Sequence, residues 1–373
     1  MRPEINLDHA ATTRPDSAVI RAVCDCMEHC DANPSAPYSA AGAPRREMRL
    51  ARETLSQMIN CDRAEIIFTS GGTEANNLAL CQAAGRHVIL SAIEHKSVLE
   101  AAKLQYCQIT QIPPEENGKI DPAKIRAAIR PDTGLISVQF ANNETGVLQP
   151  VAEIGAIARQ HKIPYHCDAV QAFGHVPIDV DALHIDLLSA SAHKLYGPRG
   201  TGFLYIHQQF SPSKPLIAGG GQESTMRAGT ENVPAIASFR IAAQLAREDM
   251  DARSERLHRF LREFVLALKQ KHPEISEISE QVDRLPGICA IRLPGLPSEK
   301  AIAGLDQRGI RVSGGAACAT STPGPSHVLQ AMGLSDAEAN EVLRISPGRH
   351  TTEADLQYAA EAICEMLSAA KGG

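Results

Sequence analysis

From about Glu65 to Ile206 short apolar runs alternate with stretches of helical period. The runs are Glu65 to Thr69, His87 to Ala92, Leu135 to Ala141, Ile163 to Asp168, Ile185 to Ala190 and Gly202 to Ile206, each of strand length. Pro150 to His161 between them carries Val151, Ile154, Ile157 and Ala158 on one face, which predicts an amphipathic helix, and Ala75 to Ala83 reads as another. Strands alternating with helices predict an α/β fold with a mostly parallel sheet covered by helices. Beyond Phe239 the texture changes to a long charged helical stretch ending near Lys271, then short strands such as Gly287 to Leu293, then a last helix from Thr352 to Ala369. The change predicts a domain boundary between 240 and 260. No internal repeat or low-complexity tract interrupts the pattern.

Composition narrows the function classes. A chain of 373 residues that is 43% hydrophobic can bury a large core, and its net charge of -6 is dispersed. Neither a nucleic-acid stripe nor a basic membrane-attracting patch is present. With no charged-then-apolar N-terminal leader and no apolar run of membrane-spanning length, a cytoplasmic location is expected. Ten cysteines at irregular spacing then read as reduced thiols rather than as a disulfide framework.

The candidate chemistry sits just past the predicted strands. Lys194, in Ser191-Ala192-His193-Lys194, follows the run ending at Ala190. A lysine desolvated at the carboxyl end of a strand can lose its proton and attack a carbonyl, so its natural product is a Schiff base with an aldehyde cofactor such as pyridoxal phosphate. Alone, the motif fits an ordinary loop lysine better. Thr69-Ser70-Gly71-Gly72-Thr73-Glu74 joins a strand to a helix, whose first N–H groups suit an anion; Thr73, Ser191 and His193 could add donors for a phosphate. Asp168, at a strand end, is a carboxylate able to keep a cofactor ring nitrogen protonated, unless it merely caps a helix. Gln171 and Asn143 could reach the ring oxygen, and His95 could stack on the ring and relay a proton. Thr73, His95, Asn143, Asp168 and Lys194 each follow a different predicted strand, and in a parallel sheet those ends share one edge.

Cys318 is the second chemical centre. Gly314 and Gly315 before it and Pro323-Gly324-Pro325 after it oppose regular structure, so a nucleophilic thiol on a loop is expected there. Cys24, Cys26, His29 and Cys30 invite a metal reading, but Cys26 and Cys30 lie one turn apart on what reads as a surface helix with Cys24 pointing elsewhere, so no metal is expected. Cys61, Cys81, Cys107, Cys167, Cys289 and Cys364 read as small core or surface residues.

Taken together the motifs resemble the cysteine desulfurases of the NifS/IscS type, a fold-type I family that uses pyridoxal phosphate within the class-V aminotransferase superfamily. The likeness runs from Leu7-Asp8-His9-Ala10-Ala11-Thr12-Thr13 to Arg344-Ile345-Ser346-Pro347-Gly348-Arg349, through Glu94-His95-Lys96, Asn142-Asn143-Glu144-Thr145-Gly146, Asp168-Ala169-Val170-Gln171 and Met226-Arg227-Ala228-Gly229-Thr230. The resemblance implies a large domain over 15–250 with a mostly parallel seven-stranded sheet, and a smaller α+β domain from 1–14 and 251–373. It implies that Lys194 binds the cofactor covalently, that Asp168 and Gln171 hold its ring, and that Gly72, Thr73, Ser191 and His193 hold its phosphate. Thr230 is expected to reach the neighbouring subunit's phosphate in a homodimer, and Arg344 to clamp the substrate carboxylate with its two-pronged fork. The implied reaction removes sulfur from L-cysteine, leaving alanine and a persulfide on Cys318. The sulfur then passes to an acceptor such as an iron-sulfur scaffold. The chain departs from the family pattern at Ala316, where a serine is usual, and at Ser39, where a histidine is usual. The alternatives are a selenocysteine lyase and a non-catalytic sulfur-transfer or assembly partner.

Overall fold

Period-two alternation in the apolar runs builds the central sheet. The computed structural model describes residues 4–210, 214–314 and 324–372. Its main sheet has seven strands: β1 (Ile66–Thr69), β2 (His87–Ser91), β3 (Gln108–Ile112), β4 (Thr133–Ser137), β5 (Tyr165–Asp168), β6 (Leu187–Ser191) and β7 (Gly202–Ile206). The order is β1-β7-β6-β5-β4-β2-β3; the pairs among β6, β5, β4, β2 and β3 are parallel, and β7 is antiparallel to both neighbours. Six strands therefore end at one edge, where β7 begins. Alternate residues feed two cores on opposite faces. Phe68, Ile89, Ile136, Leu188, Phe203 and Tyr205 enter one, whereas Ile67, Val88, Leu90, Leu135, Leu187 and Leu204 enter the other.

Helices α1 (Ser17–His29) and α2 (Gly42–Ile59) contribute to the first core, while α3 (Gly72–Cys81) and α4 (Lys96–Leu104) seal the second. The amphipathic segment expected at Pro150 to His161 is α5 (Val151–His161), with Val151, Ile154, Ile157 and Ala158 buried as the spacing requires. The charged stretch divides into α6 (Val233–Glu248) and α7 (Met250–Lys271), and the last helix is α8 (Glu353–Gly372). The strand β3, Gln-Ile-Thr-Gln-Ile, has no counterpart among the apolar runs. It is an edge strand with Gln108 and Gln111 exposed, so it needs no apolar pattern to pair.

A four-stranded antiparallel sheet orders Ser313–Gly314, Val342–Ile345, Cys289–Arg292 and Ser276–Glu277. Leu7, Phe264, Leu268, Ile291, Leu343 and Ile363 form its own apolar cluster with α7 and α8, and Ile5–Asn6 pairs in parallel with Ile310–Arg311. We propose the division into 15–250 and 1–14 with 251–373 on this separate cluster, although Ile278, Leu285, Ile288 and Val328 pack into the core of the main sheet. Asp8 bridges to Ser346, which brings the N-terminal segment beside Arg344.

Candidate active site

At the shared edge Gly202 of β7 pairs with Thr69 of β1 and with Ser191 of β6. Beside them opens a cavity of about 480 Å³. Ten of the twelve residues singled out above line it: Gly72, Thr73, His95, Asn143, Asp168, Gln171, Ser191, His193, Lys194 and Arg344. Thr230 is exposed and is not among its lining residues. Cys318 and Ala316 lie outside the described residues, and Ser39 opens a short 3-10 turn over Ser39–Ala41.

The Gly-Gly-Thr turn is set by sterics. Gly71 has φ +152°, which L side chains rarely adopt, and a Cβ at Gly72 would lie 2.5 Å from Val170 Cγ2. The backbone before α3 is thereby brought against the segment after Asp168. The helix starts at Gly72 rather than at Ala75, so Thr73 sits in its first turn, where N–H groups have no carbonyl of their own. Ser191, the last residue of β6, and the following turn Ala192–Lys194 face the same space. Burial beside Lys194 and Arg199 pushes the His193 pKa down to about 4, and its Nδ1 lies 3.1 Å from Thr12 Oγ1. A neutral imidazole can therefore donate a hydrogen bond there without carrying a charge.

Lys194 Nζ donates to the carbonyls of Ala10 at 2.6 Å and Ala11 at 2.9 Å, so the Asp-His-Ala-Ala segment presents the amine to the cavity. Gln171 Nε2 also donates to Ala10 O, at 3.0 Å. Asp168 Oδ1 accepts from Val170 N at 2.9 Å and Oδ2 accepts from Asn76 Nδ2 at 2.7 Å. Each carboxylate oxygen keeps a second lone pair for a further donor. His95 is the N-cap of α4 and is held below the usual histidine range, mainly by burial, against an opposing pull from Asp168. Glu94 beside it is fully buried, and burial together with Asp168 raises it well above the usual carboxylate range. Arg344 is almost wholly buried; Nη1 donates to Asn143 O and Nη2 to Asp8 Oδ1, both at 2.8 Å, while Nε has no partner among the described residues. A fixed guanidinium lining the cavity is suited to a carboxylate.

Asn76, Ser97, Gln139 and Arg199 also line the cavity. Asn76 had a signal in the sequence, as an amide on the otherwise apolar face of Ala75, Leu78 and Ala79. Ser97 was visible only as the second residue after His95. α1 is a surface helix as expected, with Val19 and Cys26 turned into the main core, while Cys24 is exposed and Cys30 caps α1. Among the described residues no group of three or more His, Cys, Asp or Glu side chains is arranged to hold a metal, and no helix is long and apolar enough to cross a membrane.

This donor set fits a phosphorylated, ring-bearing aldehyde: an amine, an acceptor carboxylate, an imidazole and a helix start converge on one hollow. Residues 5–359 match the model of the class-V aminotransferase family. The chain is 39% identical to the cysteine desulfurase IscS of Anaeromyxobacter dehalogenans (strain 2CP-C), over 98% of this chain and 93% of that one. It is also 39% identical to the putative cysteine desulfurase IscS 1 of Bacillus subtilis (strain 168), over 97% and 98%. The crystal structure of a NifS-like protein from Rickettsia africae superposes with a TM-score of 0.91 at 32% identity, covering 98% of this chain and all of that one. A structure described as SspA in complex with cysteine superposes with a TM-score of 0.81 at 34% identity, covering 92% and 98%. With the site geometry and these likenesses in agreement, the chain belongs to the class-V aminotransferase family, among its cysteine desulfurases.

Proposed function

We propose that the protein is an L-cysteine desulfurase that takes sulfur from L-cysteine, releases L-alanine and carries the sulfur as a persulfide on Cys318. The observation that carries this reading is the convergence of Lys194, Asp168, His95 and Arg344 on a single cavity. The family in general depends on pyridoxal phosphate. That group supplies an aldehyde for an amine and a ring that takes up the electron pair left when a Cα proton departs.

The residues of the chain do the rest. Lys194 offers the amine, steadied by Ala10 and Ala11. Gly72, Thr73, Ser191 and His193 would hold the phosphate at the start of α3. Asp168 would accept from the ring nitrogen, Gln171 and Asn143 would hold the ring oxygen, and His95 would hold the ring and relay a proton. Arg344 holds the substrate carboxylate, orienting the Cα proton. The Cys318 thiol attacks the substrate sulfur: a sulfur–sulfur bond forms, the substrate carbon–sulfur bond breaks, and the carbon fragment leaves as alanine once protonated. One cysteine and one thiol give one alanine and one persulfide, so no external oxidant is needed. Thr230, exposed on its own subunit, suits completion of the neighbouring site in a homodimer. The acceptor we propose is an iron-sulfur scaffold protein, in the cytoplasm.

Mass spectrometry after brief exposure to cysteine tests this. One added sulfur on Cys318 with one alanine released is expected, lost in Cys318→Ala, while Lys194→Ala also loses the visible chromophore. Alanine release from cysteine that survives Cys318→Ala would refute the assigned nucleophile. If only selenocysteine is turned over by that variant, the lyase alternative replaces this one.

A further inference from the structure

Asn76 and Ser97 belong to one hydrogen-bonded chain whose direction is fixed at both ends. Asn76 is buried, and its Nδ2 lies 2.7 Å from Asp168 Oδ2 and 2.8 Å from Ser97 Oγ. An ionised carboxylate only accepts, so the amide must turn its nitrogen, not its oxygen, toward Asp168. Both amide hydrogens are then used, one on Asp168 and one on Ser97. The Ser97 hydroxyl, accepting from Asn76, directs its own hydrogen to His95 Nδ1 at 2.7 Å. The backbone N–H of Ser97 donates to the same nitrogen at 3.1 Å and cannot reverse.

We infer that Asn76 and Ser97 are positioning residues that fix His95 in the tautomer bearing its proton on Nε2, and that link this imidazole to Asp168. Nδ1 faces two donors, so a proton there must displace a backbone N–H and turn the serine hydroxyl around. His95 accordingly meets the cavity as a proton donor from Nε2. It can take up a second proton only when the hydroxyl reverses. The charged and titratable groups around this imidazole are Asp168, which favours its cation, and Lys194, His327 and Lys96, which oppose it. Glu94 faces Asp168 from the adjacent position. The tautomer stands on the chain's own hydrogen bonds; its use in catalysis rests on the proposed function.

The experiment is nitrogen-15 histidine spectroscopy of the cofactor-loaded enzyme and of the apoprotein, with the His95 signals assigned by their loss in His95→Gln. The expected spectrum has Nδ1 unprotonated and Nε2 protonated through neutral pH. Asn76→Leu, which releases the serine hydroxyl, is expected to raise the imidazole protonation constant about tenfold, one hydrogen bond's worth. In a Ser97→Ala background the same substitution should add nothing, because its route to His95 is already cut. Ser97→Thr keeps the hydroxyl and should behave as the parent. A proton found on Nδ1 in the parent, or an Asn76→Leu effect undiminished by Ser97→Ala, overturns the inference, and the parent spectrum decides even if a variant fails to fold. A protein that shows the Nε2 tautomer but releases no alanine from cysteine would refute the proposed activity and leave this inference standing.

Discussion

Gly202→Ala is the substitution that most directly probes how the sheet edge makes the site. A Cβ built there lies 2.4 Å from Ala190 O, 2.8 Å from Gly71 Cα and 3.0 Å from Gly71 C, all of them backbone atoms. Ordinary contact begins near 3.4 Å, so the carbonyl must give about 1 Å and the Gly71 turn about 0.6 Å. Neither can move alone, since Gly202 is paired with Thr69 on one side and Ser191 on the other. Overpacking of this kind costs about 3 kcal/mol at the unyielding end of its range, offset by about 0.5 kcal/mol from the reduced freedom of the unfolded chain. The net loss of about 2.5 kcal/mol corresponds to a fall in melting temperature of about 3 °C for a chain of this length. The displaced turn carries the N–H groups of Gly72 and Thr73 with it. Losing one charge-assisted bond to a phosphate, about 1.5 to 3 kcal/mol, weakens pyridoxal phosphate binding by roughly 10 to 150-fold. Thermal melting of the apoprotein and a visible-absorbance titration with the cofactor read the two effects separately. Gly42→Ala is the control, because nothing lies within 4 Å of its added Cβ. If Gly202→Ala melts and binds cofactor as the control does, the steric account of this edge is wrong.

Two other predictions concern charge. Burial holds His166 and His175 neutral with pKa values of about 4, so the stability they contribute is complete above pH 6.5 and is lost as pH falls from 6.5 toward 4. Glu144 runs the other way: burial raises it to about 7, so its ionisation destabilises the fold as pH rises from 4.5 through 7. Denaturant unfolding from pH 8 to pH 5 should therefore show a steeper net loss in Glu144→Gln than in the parent, and an unchanged slope would count against the raised carboxyl. Arg344→Lys keeps a charge but cannot hold Asp8 and Asn143 while offering a fork, so KM for cysteine should rise roughly 10 to 150-fold, the loss of one charge-assisted bond, with kcat less affected. Alanine-release kinetics measure the split; an unchanged KM removes Arg344 from the substrate site.

Much of the architecture was legible because it is local. Strand runs such as Ile66–Thr69 and Gly202–Ile206 alternate between two cores and are bounded within a residue or two of the apolar pattern, and the face of α5 follows from its spacing. The strand β3 was hidden because a polar edge strand is defined by its partner, not by its own sequence. Which residues of the surface helix α1 turn inward is decided in the same way: Cys26 packs against the core that α2 and the sheet supply.

The residue types of the site, an amine, a carboxylate, an imidazole and a glycine-rich helix start, were fixed by the chain itself, together with their positions after successive strands. Their mutual arrangement was decided by tertiary structure. Hydrogen-bond direction is a property of pairs, so Asn76 and Ser97 acquire meaning only when Asp168 and His95 lie within 3 Å of them, though they stand 92 and 2 residues away. Arg344 likewise becomes a fixed fork only where Asp8, 336 residues away in the sequence, meets it. Chain order sets which groups exist, whereas strand pairing and core packing set which of them touch.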